Sequence, residues 1–344
     1  MKIKPLGIIV VLLIIGVLGY FALKPRLTGG TADTATSSTT SPSIPGSNQT
    51  PDNTGEVPAA STPSTTPPAA GTTEETRAFS YTPEKPENGT LRGVVEVGAT
   101  GFNSFVINMD RQKRWEIVSK DFGESLAYEG LATTDDIRAG LKKYLSAMFD
   151  KGVANRNMHF VISSGAQKAP KTAIISNELK KMGYVVNNVT AEQEGKFGFS
   201  ATVPPAFADN SFLVDIGSGN TKISWQENGR LQSIELPGAK YYEKGTADEQ
   251  VYNQVKTLAA KVPQDKRNVG FILGGVPFTL AKQHRQGEER YTVLKAPEAY
   301  KAADKKMASG LTIYKGLAEA TGTDTFVFDW DANFTIGFLL SLNQ

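Results

Sequence analysis

The run Phe212-Leu-Val-Asp215-Ile-Gly217-Ser218-Gly219-Asn220-Thr221-Lys222-Ile-Ser-Trp225 ends an apolar stretch in an acid and follows it with a glycine-rich turn. That layout suits a hairpin that grips phosphate. Glycine lets the backbone bend and approach a ligand closely. Successive backbone N–H groups, with the Ser218 and Thr221 hydroxyls, can cradle an anion. Asp215, at the end of a buried strand, is placed to hold a metal ion or a water. An ordinary hairpin with a Gly-Ser-Gly-Asn turn accounts for the same residues. A second glycine turn, Val97-Gly98-Ala-Thr100-Gly101-Phe102, invites a dinucleotide reading. The β-branched and aromatic residues that follow it suit a strand better than a phosphate-binding helix.

Other chemistries find little support. The chain has no cysteine, which excludes disulfides, thiolate catalysis and cysteine-based metal sites. Its two histidines, His159 and His284, have no metal partner at ligand spacing. No Gly-x-Ser-x-Gly elbow is present. A net charge of +2 gives no basic surface that points to nucleic acid. The lysines of Lys301–Lys306, with Lys295, read as a solvated helix face.

The elements that must position the glycine turns begin well into the chain. Residues 1–4 are short and basic, and residues 5–23 are uncharged and apolar, enough for a transmembrane helix roughly 28 Å long. No small-x-small cleavage site follows, which favours an anchor over a cleaved signal peptide. Residues 24–77 are a Ser/Thr/Pro-rich linker too polar to fold, with a reach of roughly 40 Å. Such a tether suggests an extracytoplasmic folded part, with the cytoplasmic face as the alternative.

From about Leu91 the chain alternates strands and helices. Leu91–Val97, Ser104–Met109 and Trp115–Ser119 read as strands. A helix opens with a capping box at Thr133–Asp136, carries the stripe Ile137, Leu141, Tyr144, Leu145 and Met148, and closes at Gly152. Strand His159–Ser163, helix Thr172–Met182 and strand Tyr184–Val189 follow. The second half repeats the plan: strands Ser211–Ile216, Thr221–Gln226 and Leu231–Leu236, a helix capped at Thr246–Glu249, and strand Val269–Leu273 running into Gly274-Gly275. Phe326–Phe328 is a late strand and Phe334–Leu342 a final helix. The repetition implies a duplicated α/β fold with subdomains at 78–205 and 206–330, a C-terminal helix at 331–344, and a ligand cleft between the copies.

The pieces resemble, in order and spacing over about 250 residues, the exopolyphosphatase/guanosine pentaphosphatase (Ppx/GppA) family of the actin-like ATPase (ribonuclease H-like) superfamily. Asp215-Ile-Gly-Ser-Gly-Asn-Thr-Lys222 is similar to that family's Asp-Ile-Gly-Gly-Gly-Ser-Thr-Glu. Glu96-Val-Gly98-Ala-Thr-Gly101-Phe102 is similar to its first phosphate motif, and Phe122–Ile137 to the segment and helix that come next. Val161–Ala169 resembles Ala-Thr-Ser-Ala-x-Arg-x-Ala, and Val189–Gly195 resembles the stretch that carries the catalytic glutamate. Gly274-Gly275 matches a later glycine pair. The resemblance implies Mg²⁺-assisted hydrolysis of phosphoanhydrides such as polyphosphate, (p)ppGpp or a nucleotide. Glu194 would act on the attacking water. Asp215, with Glu96, would hold the metal. Gly98, Thr100, Gly101, Gly217, Ser218, Gly219, Asn220 and Thr221 would hold phosphate. A homodimer is compatible with it.

Several positions depart from the family pattern. Glu96 stands for an aspartate, Gln167 for a phosphate-contacting arginine, Gln193 for one of a glutamate pair and Lys222 for a glutamate. Three readings follow: a phosphohydrolase with an altered centre, an inactive phosphate sensor or scaffold, and an actin-like assembly protein.

Overall fold

The computed structural model describes residues 79–98, 101–122 and 134–342. The first hydrophobic repeat folds as strands β1 (Thr90–Val97), β2 (Phe102–Met109) and β3 (Trp115–Phe122). The β2–β3 turn is held by Asp110, whose Oδ1 accepts the Gln112 and Arg114 N–H groups at 2.9 and 3.0 Å. Helix α1 (Thr134–Asp150) buries the expected stripe of Ile137, Leu141, Tyr144, Leu145 and Met148. Strand β4 (Met158–Ile162), helix α2 (Pro170–Lys181) and strand β5 (Val186–Asn188) complete the first sheet, ordered β3-β2-β1-β4-β5. Strand β1 is antiparallel to β2 and parallel to β4.

Helix α3 (Ala191–Thr202) leads to strands β6 (Ser211–Ile216), β7 (Asn220–Glu227) and β8 (Arg230–Pro237). The β7–β8 turn places Asn228 and Gly229 at φ 49° and 70°, the paired positive angles of a tight hairpin turn. Helix α4 (Asp248–Ala259), strand β9 (Val269–Gly274), helix α5 (Gly275–Lys282), strand β10 (Tyr291–Leu294), helix α6 (Lys305–Thr321), strand β11 (Phe326–Asp329) and helix α7 (Phe334–Ser341) follow. The second sheet runs β10-β11-β9-β6-β7-β8. Taken from its other edge, β8-β7-β6-β9-β11 repeats the order and directions of the first sheet, with β10 added antiparallel to β11. The fold is α/β with two sheets, as expected.

Two helices lie across the junction of the sheets. Helix α3 packs on β6, β7 and β8, and α7 packs on β1 and β2. Phe334, Ile336, Phe338 and Leu339 of α7 share one buried cluster with Val94, Phe105 and Ile107 of the first sheet. The helices touch each other at Gly337, where any Cβ would collide with the Phe197 carbonyl.

Some expectations need correction. Residues 191–202, which had no element assigned from sequence, form helix α3, so Glu192 and Glu194 are helical; the helix starts with a Thr190–Gln193 capping box. The expected box at Thr246–Glu249 is absent, because α4 starts after Ala247 with no side-chain cap. Strand β10 and helix α6 had no sequence assignment beyond the charged face near Lys301–Lys306. Among the described residues no helix is long and apolar enough to cross a membrane; the expected span at 5–23 and linker at 24–77 lie outside them. Thr100 and the segment 123–133 also lie outside them.

Gly337→Ala forces the two helices apart or bends one of them. Overpacking of this kind costs about 1–3 kcal/mol, so the urea unfolding midpoint should fall with an unchanged slope.

Candidate functional site

The site forms where β1, β4, β6 and β9 end. In each sheet a glycine turn follows the first strand, and its first glycine is wedged against the carbonyl three residues on. A Cβ on Gly98 would lie 3.0 Å from the Gly101 oxygen, and one on Gly217 would lie 2.6 Å from the Asn220 oxygen. Gly98 N–H donates to Gly101 O at 2.8 Å, and Gly217 N–H to Asp215 O at 3.1 Å. The N–H groups of Ser218 and Gly219 donate to no backbone carbonyl among the described residues. Gly274, at φ 109°, is pressed against the Ile216 carbonyl, which brings the Gly274-Gly275 pair beside the second turn.

Strand register decides which side chains meet. Asp215 of β6 is paired with Lys222 of β7, so both project from one face of the sheet. Ser224 and Ser233 continue that face, and Gly195 of α3 sits directly on their hydroxyls, with no room for a side chain. The close approach brings Glu194, the preceding residue, onto Lys222. Their side chains form an ion pair, and Lys222 Nζ also lies 3.7 Å from Asp215 Oδ2. The second Glu194 oxygen accepts the Ser164 N–H from the turn after β4. Glu194 is 1 % exposed and Lys222 is 5 % exposed.

Burial works against both charges. It pushes the Glu194 carboxyl up and, alone, would push the Lys222 ammonium down. The attraction of Asp215 and Glu194 outweighs burial at Lys222, whose pKa ends above its ordinary value. The two carboxylates thus favour the charged form of Lys222 inside the site.

The first sheet handles its acid differently. Glu96 is paired in register with Asn103, whose Nδ2 donates to Glu96 Oε2 at 2.8 Å. Asn333 Nδ2 donates to the same oxygen at 3.1 Å. Burial pushes the Glu96 carboxyl up to about 7, only partly opposed by these two bonds.

The expected site residues are thus partly gathered. Glu96, Glu194, Asp215, Gly98, Gly101, Gly217 and Gly219 surround one junction. Asn220 is tied down, with Nδ2 donating to Ser164 Oγ at 3.1 Å and Glu235 Oε1 at 2.8 Å. Thr221 is fully buried on the opposite face of β7 from Lys222, in the alternation it shares with the core residues Ile223 and Trp225. Its hydroxyl does not line the turn. Gln167 donates to the Ile162 and Val189 carbonyls, a backbone brace rather than a ligand contact. Ser164, Asn333 and the Lys222–Glu194 pairing were not foreseen. The lysine in a glycine-turn strand, directly opposite an acid, was the available signal.

The donors do not suit the implied Mg²⁺. That ion needs near-ideal octahedral oxygen geometry. Lys222 Nζ occupies the space between Glu194 and Asp215, and Glu96 is engaged by two amides. No group of three or more metal-ligating side chains has the geometry to hold a metal among the described residues. A cavity of about 760 Å³ lies elsewhere, lined by residues including Tyr81, Arg114, Trp115, Pro204 and Arg290.

Removing one member of a buried ion pair costs about 3–5 kcal/mol. Lys222→Met and Glu194→Gln should each lose stability on that scale, and the double variant should lose clearly less than their sum, as read by a double-mutant cycle in urea. Glu96 gives a pH signature. Its folded pKa of about 7 exceeds the ordinary value of 4.5, so the folded state holds the proton longer than the unfolded state. Its contribution to stability therefore falls as pH rises from 4.5 to 7 and is level above. Glu96→Gln should gain on the wild type by about 3 kcal/mol between pH 4.5 and 8.

No protein-family model and no curated protein sequence matches the chain. Solved structures do. The Aquifex aeolicus member of the Ppx/GppA protein family has a TM-score of 0.56 at 18% identity, over 73% of this chain and 97% of its own. A further structure of the Aquifex aeolicus PPX-GPPA enzyme gives 0.58 at 16%, over 74% and 99%. An exopolyphosphatase from Cytophaga hutchinsonii gives 0.56 at 15%, over 74% and 99%. At such identities the likeness concerns the fold alone: this chain shares the fold of these Ppx/GppA structures.

Proposed function

We propose that this protein binds a phosphoanhydride polyanion (polyphosphate, (p)ppGpp or a nucleotide) at the junction of its two sheets without hydrolysing it, from the end of a membrane tether. The observation that carries the reading is the engagement of Glu194. One of its oxygens takes the Ser164 N–H and the other the Lys222 ammonium. Glu194 is also only 1 % exposed, so a carboxylate engaged at both oxygens and closed off from solvent is badly placed to take a proton from an attacking water, a role that requires hydrogen-bond reach. What supports binding is the pair of glycine turns, with the Ser218 and Gly219 N–H groups uncommitted to backbone carbonyls among the described residues. The fold shared with the Ppx/GppA structures adds to it. The membrane tether rests on the apolar run at 5–23 and the polar composition of 24–77.

A second reading, a scaffold whose cleft stays shut, draws on contacts between the two sheets' turns. A Cβ on Gly219 would lie 3.7 Å from Gly165 Cα, and Asn220 bonds Ser164.

The test is phosphate release by the full chain from polyphosphate, (p)ppGpp and ATP with Mg²⁺, beside thermal unfolding with the same compounds. We expect no release above the Glu194→Gln background and a rise in Tm with at least one compound. Release that both Glu194→Gln and Asp215→Asn abolish would restore the hydrolase reading. No release and no Tm shift would leave the scaffold.

A further inference from the structure

A Ppx/GppA-like centre is expected to neutralise its carboxylates and its ligand's phosphates with a divalent ion. Here the neutralising charge is covalently part of the chain. Lys222 sits on β7 opposite Asp215, and its ammonium lies between Asp215 and Glu194. Its position is fixed by the hairpin register and by the contact of Gly195 with Ser224 and Ser233. The ammonium also lies close to the turn itself, 3.8 Å from where a Gly217 Cβ would be. An ammonium is a compact point charge with three donors. Glu194 uses one, and Asp215 at 3.7 Å is too distant for a full hydrogen bond.

We infer that Lys222 is the resident cation of this centre, standing where the resemblance implies a divalent metal, so that the junction takes its phosphate ligand without metal. The inference rests on the binding reading above for its ligand, but its first test does not. Asp215 then has a changed meaning. In a metal site it recruits the cation that attracts phosphate. Here no ion intervenes, so it repels an approaching phosphate and draws on the ammonium that would otherwise face it. The substitution Asp215→Asn therefore has opposite signs in the two cases.

The first measurement is a Mn²⁺ titration of the full chain, with free Mn²⁺ followed by electron paramagnetic resonance. Wild type should take up no stoichiometric Mn²⁺, and Lys222→Gln, with its cation removed, should gain one site and a Mn²⁺-dependent rise in Tm. A wild-type site that Asp215→Asn abolishes would overturn the inference, and so would a folded Lys222→Gln that takes up none. Should that variant fail to fold, the wild-type titration decides alone. The second measurement is polyphosphate affinity in EDTA and in Mg²⁺. Binding should persist in EDTA and be no weaker than in Mg²⁺, which itself complexes polyphosphate and lowers its charge, and Asp215→Asn should tighten binding by on the order of tenfold at low salt. Binding that needs Mg²⁺ and weakens in Asp215→Asn would overturn it. Absence of polyphosphate binding in every condition would count against the binding reading, while the Mn²⁺ result still judges Lys222.

Discussion

At Gly337 the backbone of α7 comes so close to the Phe197 carbonyl that no side chain fits between them, and one helical turn before Phe197 stands Glu194. Helix α3 is gripped on both sides. Its Gly195 rests on the serines of β7 and β8, and a Cβ on its Gly198 would lie 2.9 Å from Leu213. A helix held by three such contacts cannot rotate or slide by the ångström or so that would separate Glu194 from Lys222. The steric fit of glycine to backbone thus enforces the electrostatic pairing. Interiors transmit strain because they are close-packed.

The two sheets solve the same problem in different ways. Glu96 and Asp215 stand two residues before Gly98 and Gly217, each opposite the strand partner that register assigns it. Asp215 faces a lysine and keeps its charge company. Glu96 faces the amides of Asn103 and Asn333, which offer hydrogen bonds but no countercharge, and burial favours its proton. A duplicated frame therefore carries one acid compensated by a cation and one compensated by protonation. Sequence symmetry at the glycines hides this chemical asymmetry at the acids.

What the sequence revealed and concealed follows from the range of the forces involved. The α1 stripe and the strands of both sheets other than β10 were legible because side-chain periodicity is a local record of which face is buried. Their repetition made the duplication legible too. Helix α3 was concealed because its first turns mix Glu192, Gln193, Glu194 and Lys196 with Gly195 and Gly198, which leaves no apolar stripe at helical spacing. The glycines are there for contact with β6, β7 and β8, a reason that lies outside the segment. The Thr190–Gln193 box was the one local clue. Helix α6 hid likewise: Gly310 and Gly316 lower its helical signal while giving room to Val276 and Val255. The Glu194–Lys222 contact is a product of packing between elements, which no window of sequence contains.

The position of α7 also bears on how the protein is made. Strands β1 and β2 cover one face with α1 but need Phe334, Ile336, Phe338 and Leu339 to cover the other. A ribosome delivers those residues only after the whole second sheet has been synthesised. Until then the nascent first sheet carries an uncovered apolar face made of Val94, Phe105, Ile107 and Met109. Partly built sheets with such faces are prone to aggregation. The first half of this chain is therefore the part most in need of chaperone cover during translation, even though it is the first to emerge.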